Sequence, residues 1–295
     1  MSKRVMVIGA TGVLGQPAVA RLLAEGYSVS GLARSASRVE TVRATGAQPV
    51  VGDLFSASSL VTALRGHDAV LNLATRIPRK MTRASAWAEN DRVRVAGSAA
   101  LAAAVRQVDE VRVVVQEGIS FVYADGGAAL LAEDAPLRPR GVTASSVTAH
   151  ANVAALADRT VVRLRIGTLL GTDAMTSALL AAARRGAPLI MGARSDWTTA
   201  IHPSDAAAAA VAALDAPSGV YNVGAPPVLK GELGEVMASV AGVRRARALP
   251  KWLVSRIPLA EPMGRSQRVV SGKLMAVTGW KCERPVPGPD WFTQD

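Results

Sequence analysis

Apolar residues in this chain come in short unbroken runs separated by longer amphipathic stretches. Val5-Met6-Val7-Ile8 is such a run, closed at once by Gly9. Four consecutive apolar residues suit a strand buried on both faces of a parallel sheet, because a half-exposed strand would alternate. A helical pattern follows over about 13–25, stopped by Gly26, and a second strand is expected over 27–33. The alternation continues with a helix near 36–45, strand 48–51, helix 56–65, strand 68–74, a long helix 88–107, strand 111–116, a helix near 143–157 and strand 160–166. Strands separated by helices of this length pair in parallel through right-handed crossovers. The pattern therefore predicts an α/β fold: a Rossmann-like, doubly wound parallel sheet with helices on both faces. Beyond about residue 167 the rhythm loosens around a short strand at Gly219-Val220-Tyr221-Asn222-Val223. Residues 1–166 are expected to form the core, with a returning core segment about 200–225, and 167–295 mainly a small interleaved C-terminal lobe.

Composition agrees with a folded chain. Of the 295 residues 49% are apolar and 19% charged, enough apolar material for a core. The 34 Lys and Arg exceed the 23 Asp and Glu by 11, which raises nucleic acid as a partner. Twenty-eight of the 34 are Arg, spread along the chain without interleaved aromatics, so a base-stacking surface is not expected. The Arg-for-Lys bias with heavy Ala use fits a high-GC genome. One cysteine, Cys282, excludes an internal disulfide or a multi-thiolate site, and His67, His150 and His202 lack metal-ligand spacing, so no metal is expected. The N-terminus lacks a secretory pattern and no uncharged run is long enough to span a bilayer; a cytoplasmic protein that does not bind membranes is expected.

The chemistry begins where the first strand ends. Gly9-Ala10-Thr11-Gly12-Val13-Leu14-Gly15 joins it to the first helix. Its glycines suit a tight turn, close approach of backbone to a pyrophosphate, and close packing of helix on sheet, while the helix N-terminus offers unpaired N–H groups to phosphate. This placement predicts a dinucleotide held by Gly9, Thr11, Gly12, Val13, Leu14 and Gly15. A carboxylate at the end of the second strand would bind ribose hydroxyls and repel a 2′-phosphate. That strand ends instead in Arg34-Ser35-Ala36-Ser37-Arg38, so NADP(H) is favoured over NAD(H), with Arg34 and Arg38 as the phosphate ligands. Asp53 and Leu54 are placed at the adenine, and Leu73, Ala74 and Thr75 under the adenosine half. Arg76, Arg79, Lys80 and Arg83 could hold an anionic substrate or cofactor phosphate, although a solvated basic loop is slightly favoured.

These segments, together with Gly52-Asp53-Leu54, Asn72-Leu73-Ala74, Gly219–Gly224 and Gly279-Trp280, resemble the extended short-chain dehydrogenase/reductases, the NAD-dependent epimerase/dehydratase family. Asp134-Ala135-Pro136 with Pro139, Arg165-Ile166-Gly167, and Ile201-His202-Pro203-Ser204-Asp205-Ala206 extend the similarity over nearly the whole chain. So do Trp87-Ala88-Glu89-Asn90-Asp91-Arg92 and Gln116-Glu117, which resemble a bacterial epimerase-like branch. The resemblance implies a Ser after the fifth strand and a Tyr-x-x-x-Lys in the next helix, in which Tyr transfers the proton and Lys lowers its pKa.

No Tyr-x-x-x-Lys occurs in this sequence; the corresponding stretch has Ser146 and His150 at that spacing. Losing a positioned acid/base costs about 3–5 kcal/mol of barrier, so ordinary Tyr–Lys chemistry is not expected. Glu117, Ser120, Tyr123 and His150 are the replacement candidates. His67 and His202 are read as structural, and Arg244, Arg245 and Arg247 as a solvated face. The resulting expectation is an NADP(H)-binding oxidoreductase or epimerase-like enzyme on a small organic substrate, of the altered kind common in secondary metabolism. Two alternatives are a non-catalytic dinucleotide sensor and a redox-neutral enzyme performing dehydration, cyclisation or isomerisation. The resemblance also implies a homodimer paired through helices 88–107 and 143–157.

Overall fold

The structure is a computed structural model that describes residues 3–78 and 83–293. Seven parallel strands form its centre: β1 (Arg4–Ile8), β2 (Ser28–Ala33), β3 (Gln48–Val51), β4 (Ala69–Asn72), β5 (Val113–Gln116), β6 (Thr160–Ile166) and β7 (Gly219–Val223). Their spatial order is β7-β6-β5-β4-β1-β2-β3, so the chain reverses direction across the sheet between β1 and β4. Val5, Met6 and Val7 are completely buried, because both faces of β1 are covered.

On one face α1 (Gly15–Ala24) lies beside a later helix, Pro203–Ala212, and packs against Val5, Val7, Leu71 and Leu164. On the other, α2 (Ala57–Leu64) and the helix over 88–105 cover Met6, Ile8, Val70 and Val114. That second helix is expected as one regular element over 88–107. Instead α3 (Ala88–Arg92) passes through a π turn, Val93–Gly97, into α4 (Ser98–Val105). α5 (Ala144–Ala154) packs beside α4.

β7 joins the sheet from the far end of the sequence, in register with β6. Segments before and after it form short two-stranded pairs, among them Trp197–Thr198 with Val228–Leu229 and Ile190–Met191 with Ala248–Leu249. Two buried cations tie this region together. The Lys230 ammonium donates to the carbonyls of Met191, Met263 and Arg265, at 2.7, 2.7 and 2.9 Å. Burial pulls its pKa down to about 8, which leaves it charged at neutral pH. Arg265 pairs with Glu261 and donates to the carbonyls of Tyr123 and Arg138, at 2.7 and 2.8 Å. The loop after β5 is thereby fastened to the C-terminal segment. No described helix is long and apolar enough to cross a membrane.

Candidate active site

The β1–α1 loop is built almost wholly from backbone. Gly9 has φ +89°, and a Cβ there would stand 2.8 Å from the Ala74 nitrogen. A Cβ at Gly15 would overlap the Gly9 carbonyl oxygen. The Gly12 amide closes the turn onto that same oxygen at 2.9 Å. Leu14, the residue preceding α1, supplies no side-chain cap, and the first turn holds no acid. The first amides of the helix and its positive dipole end thus face Thr11, Gly12 and Val13, all exposed, while Leu14 and Gly15 pack inward. This cradle fits a pyrophosphate: a side chain at Gly9 or Gly15 would collide with the backbone of Ala74 or of Gly9 and force the turn out of shape, and no carboxylate competes for the amides.

The remaining cofactor candidates lie along the same carboxyl edge. Arg34 follows β2 directly and Arg38 lies one helical turn on; both are exposed. Asp53 partly serves its own loop, its carboxylate accepting from the Phe55 amide at 2.9 Å. Leu54 packs against the π turn, where a Cβ on Gly97 would come within 2.9 Å of it. Leu73 is buried, its amide donating to the Ile8 carbonyl at 2.9 Å, Ala74 backs Gly9, and Thr75 is exposed. Arg76 and Arg83 are exposed loop residues, and Arg79 and Lys80 lie outside the described residues.

The acid/base candidates gather beyond β5, where each is held by neighbours. Glu117 is 4% exposed and forms a bidentate ion pair with Arg94, Nε to Oε1 at 2.9 Å and Nη2 to Oε2 at 3.0 Å. Tyr123 is fully buried; its hydroxyl donates to Asn222 Oδ1 at 2.7 Å and accepts from Arg165 Nη1 at 2.6 Å. Burial raises its pKa despite Arg165. Ser120 is buried at 3% exposure in the short helical turn after β5.

His150 is buried against Gly118, whose Cβ would fall within the imidazole, and its Nε2 has no hydrogen-bond partner. Burial, reinforced by the positive charges of Arg165, Arg163 and Arg94, pushes its pKa down to about 3, so the ring is neutral at ordinary pH. Ser146 Oγ, one turn earlier, accepts from the Ile119 amide at 3.2 Å.

Three other readings change or gain a cause. His202 caps the helix Pro203–Ala212 through Nδ1, and Asp205 accepts from the amides of Glu283 and Arg284. His67 is buried beside the Leu64 carbonyl. Arg244, Arg245 and Arg247 are all exposed, and with Arg184 they line a surface cleft of about 550 Å³. Burial lifts the Cys282 thiol to about 12, which makes it a poor nucleophile.

Sequence reasoning missed Arg94. Asn90, Arg94, Ser98, Leu101 and Val105 recur at helical spacing and are all buried, so Arg94 lies on the inward stripe of its helix. A guanidinium on such a stripe demands a buried acceptor, and that is the signal that would have paired it with Glu117. Asn72 and Gln116 belong to the same edge; Asn72 Nδ2 donates to Gln116 Oε1 at 2.8 Å.

The glycine cradle, the reversal between β1 and β4 and the carboxyl-edge placement define an NAD(P)-binding Rossmann-type enzyme. The NAD-dependent epimerase/dehydratase family model matches residues 5–224, and the chain belongs to that family. It is 31% identical over 300 residues to a 3-diazoavenalumate denitrifying reductase of a Streptomyces species, a match covering 96% of this chain and 97% of the relative. Among solved structures, human epimerase family protein SDR39U1 with NADPH superposes with a TM-score of 0.79 at 23% identity, covering 98% and 97% of the two chains. MoeE5 in complex with UDP-glucuronic acid and NAD gives 0.75 at 26% identity, covering 98% and 95%.

Proposed function

We propose that the protein is an NADPH-dependent reductase that replaces the diazo group of a small hydroxyaryl acid by hydrogen. The observation that carries this reading is the state of the proton donors beyond β5. Glu117 is locked to Arg94, Tyr123 is locked between Arg165 and Asn222, and His150 is neutral at ordinary pH. The sequence has no Tyr-x-x-x-Lys to replace them. A carbonyl reduction needs a proton at the substrate oxygen; loss of dinitrogen from an aryl diazonium does not.

NADPH supplies a hydride, and the sum balances as aryl diazonium plus NADPH giving arene, N2 and NADP+. The carbon–nitrogen bond breaks, its electron pair leaves with N2, and no proton is consumed. Within this reading the β1–α1 amides hold the pyrophosphate, and Arg34 and Arg38 favour a 2′-phosphate. The polar side chains along this edge are held in pairs, Glu117 on Arg94 and Tyr123 between Arg165 and Asn222, and the imidazole is neutral, so none is poised to protonate the acceptor carbon. The near full-length relative named for denitrifying reduction supports the same substrate class.

The test mixes purified protein, NADPH and a hydroxybenzoic acid bearing a diazonium group. NADPH consumption should match N2 release one to one, and 4-deuterated NADPH should deliver deuterium to the carbon that lost nitrogen. Nucleotide that binds without being consumed would overturn the proposal, as would consumption only with a ketone.

A further inference from the structure

The π turn Val93–Gly97 touches three separate parts of the site. Toward β5, the Arg94 guanidinium clamps Glu117, whose backbone is itself fixed: its amide donates to the Asn72 carbonyl at 3.0 Å, and its carbonyl accepts from Gln116 Nε2 at 3.0 Å. Toward α5, the Val95 carbonyl accepts from Asn152 Nδ2 at 3.1 Å, and Ser98 Oγ reaches the same oxygen at 3.2 Å. Asn152 belongs to the helix that carries His150 onto Gly118. Toward the β3 loop, Gly97 admits Leu54 into close contact, and one turn earlier Arg92 stacks on Phe55 at 3.9 Å.

A π turn inside an α-helix is rare and frequently marks a functional site. The ion pair adds a second clue. A buried pair is seldom better for stability than well-packed apolar residues, and Arg94 lies on the same inward stripe as Leu101 and Val105, which pack into the apolar layer. Among the described residues, buried polar atoms without hydrogen-bond partners occur on α3 (Asn90 Nδ2 and Asp91 Oδ1), on α5 (His150 Nε2) and on β4 beside β5 (Asn72 Oδ1).

We propose that the π turn, acting through Arg94 and Glu117, is the positioning element of this site. It sets the carboxyl edge of β5 against α5 and the Leu54 loop, and so fixes where the acceptor carbon sits. Arg94 and Glu117 are positioning residues that exchange no proton with substrate. The catalytic arm of the test rests on the reductase reading; the structural arm does not.

The variant of choice is Arg94→Met with Glu117→Leu, which removes both charges and leaves none buried alone. The structural arm follows amide hydrogen exchange of residues 116–120 and 146–152 in nucleotide-free protein. Exchange at least tenfold faster than wild type is expected, with NADPH affinity by calorimetry within threefold. Unchanged exchange would overturn the proposal whatever the enzyme reduces. In the catalytic arm, kcat with the diazonium probe should fall at least thirtyfold with KM for NADPH within threefold, and Arg94→Lys should retain several-fold more kcat than the double variant. Wild-type kcat in the double variant would reduce the pair to packing.

Should the double variant fail to fold, Asn152→Ala tests the same turn. A gain in exchange at 146–152 supports the proposal and none overturns it. If exchange behaves as expected while wild-type protein ignores the diazonium, the reductase reading fails and the positioning role stands.

Discussion

The two halves of the sheet's carboxyl edge are built on different plans. Beside β1 the surface is backbone: a glycine turn closed over three residues, uncapped amides and a helix dipole. Beside β5 it is side chain, joined by contacts between residues far apart in sequence: 23 positions separate Arg94 from Glu117, 44 separate Asn72 from Gln116, and 99 separate Tyr123 from Asn222. A backbone site is pre-organised by local conformation and tolerates nothing larger than glycine. A side-chain network is pre-organised by mutual pairing, and loses its order when one partner is removed. The first half suits a constant ligand such as a dinucleotide pyrophosphate. The second can be rebuilt for a new reaction without disturbing the first.

The sharpest break in that contrast is Glu117→Ala, which strands Arg94 in a buried layer. Removing one partner of a buried pair costs about 3–5 kcal/mol, so a loss of that size is expected in chemical denaturation. Glu117→Gln, which keeps an acceptor for Arg94, should lose less. Equal losses would show that charge, rather than shape or hydrogen-bonding capacity, holds this edge.

His150 gives the same half a pH dependence that the glycine half lacks. Its pKa is near 6.5 unfolded and about 3 folded, so between these values the unfolded chain binds the extra proton. Stability therefore falls as pH drops through 6.5 toward 3, by about 3 kcal/mol between pH 7 and pH 4 from this group alone. His150→Gln should flatten the curve by that amount relative to wild type. Parallel curves for the two proteins would mean that His150 is solvated, and that the β5 edge is more open than its burial indicates.

Gly9→Ala probes the backbone half. The methyl group would meet the Ala74 nitrogen and force the turn out of its positive φ, so NADPH affinity should fall about a hundredfold, close to 3 kcal/mol. The ion pair should be untouched, leaving amide exchange at 116–120 as in wild type. A variant that still binds NADPH normally would show that the loop is not the pyrophosphate site.

The same contrast governs what could be read from sequence. The strands, their parallel pairing and the glycine turn follow from local patterns: a four-residue apolar run such as Val5–Ile8 has few other uses. Glu117 was identifiable as unusual because a carboxylate at the end of a buried strand needs a partner. Its partner was legible only in part: the spacing of Asn90, Arg94, Ser98 and Leu101 puts Arg94 on an inward stripe, but only the fold brings that stripe against β5. The π turn was not legible: Val93, Val95 and Gly97 are weak helix formers, but a regular helix tolerates them singly, so they do not specify a π turn. His150 stood out by its spacing from Ser146, but its burial follows only from the tertiary packing that places Gly118 under it. Legibility followed contact range.

The smallest expected effect concerns the one side-chain contribution proposed for the cofactor half. Arg34 and Arg38 are exposed at the end of β2, where an acid would otherwise meet the ribose. An exposed guanidinium on a phosphate is screened by solvent, so Arg34→Ala should weaken NADPH binding only about tenfold, near 1.4 kcal/mol, and less at high salt. NADH affinity should stay within twofold, because NADH carries no 2′-phosphate for the residue to hold. Calorimetric titration of both nucleotides at two salt concentrations reads this directly. If the NADPH-to-NADH ratio is unchanged, discrimination lies elsewhere on the β2 loop, and Arg38→Ala becomes the informative variant. If both affinities fall together, Arg34 supports the loop itself, and this half too would depend on a side chain.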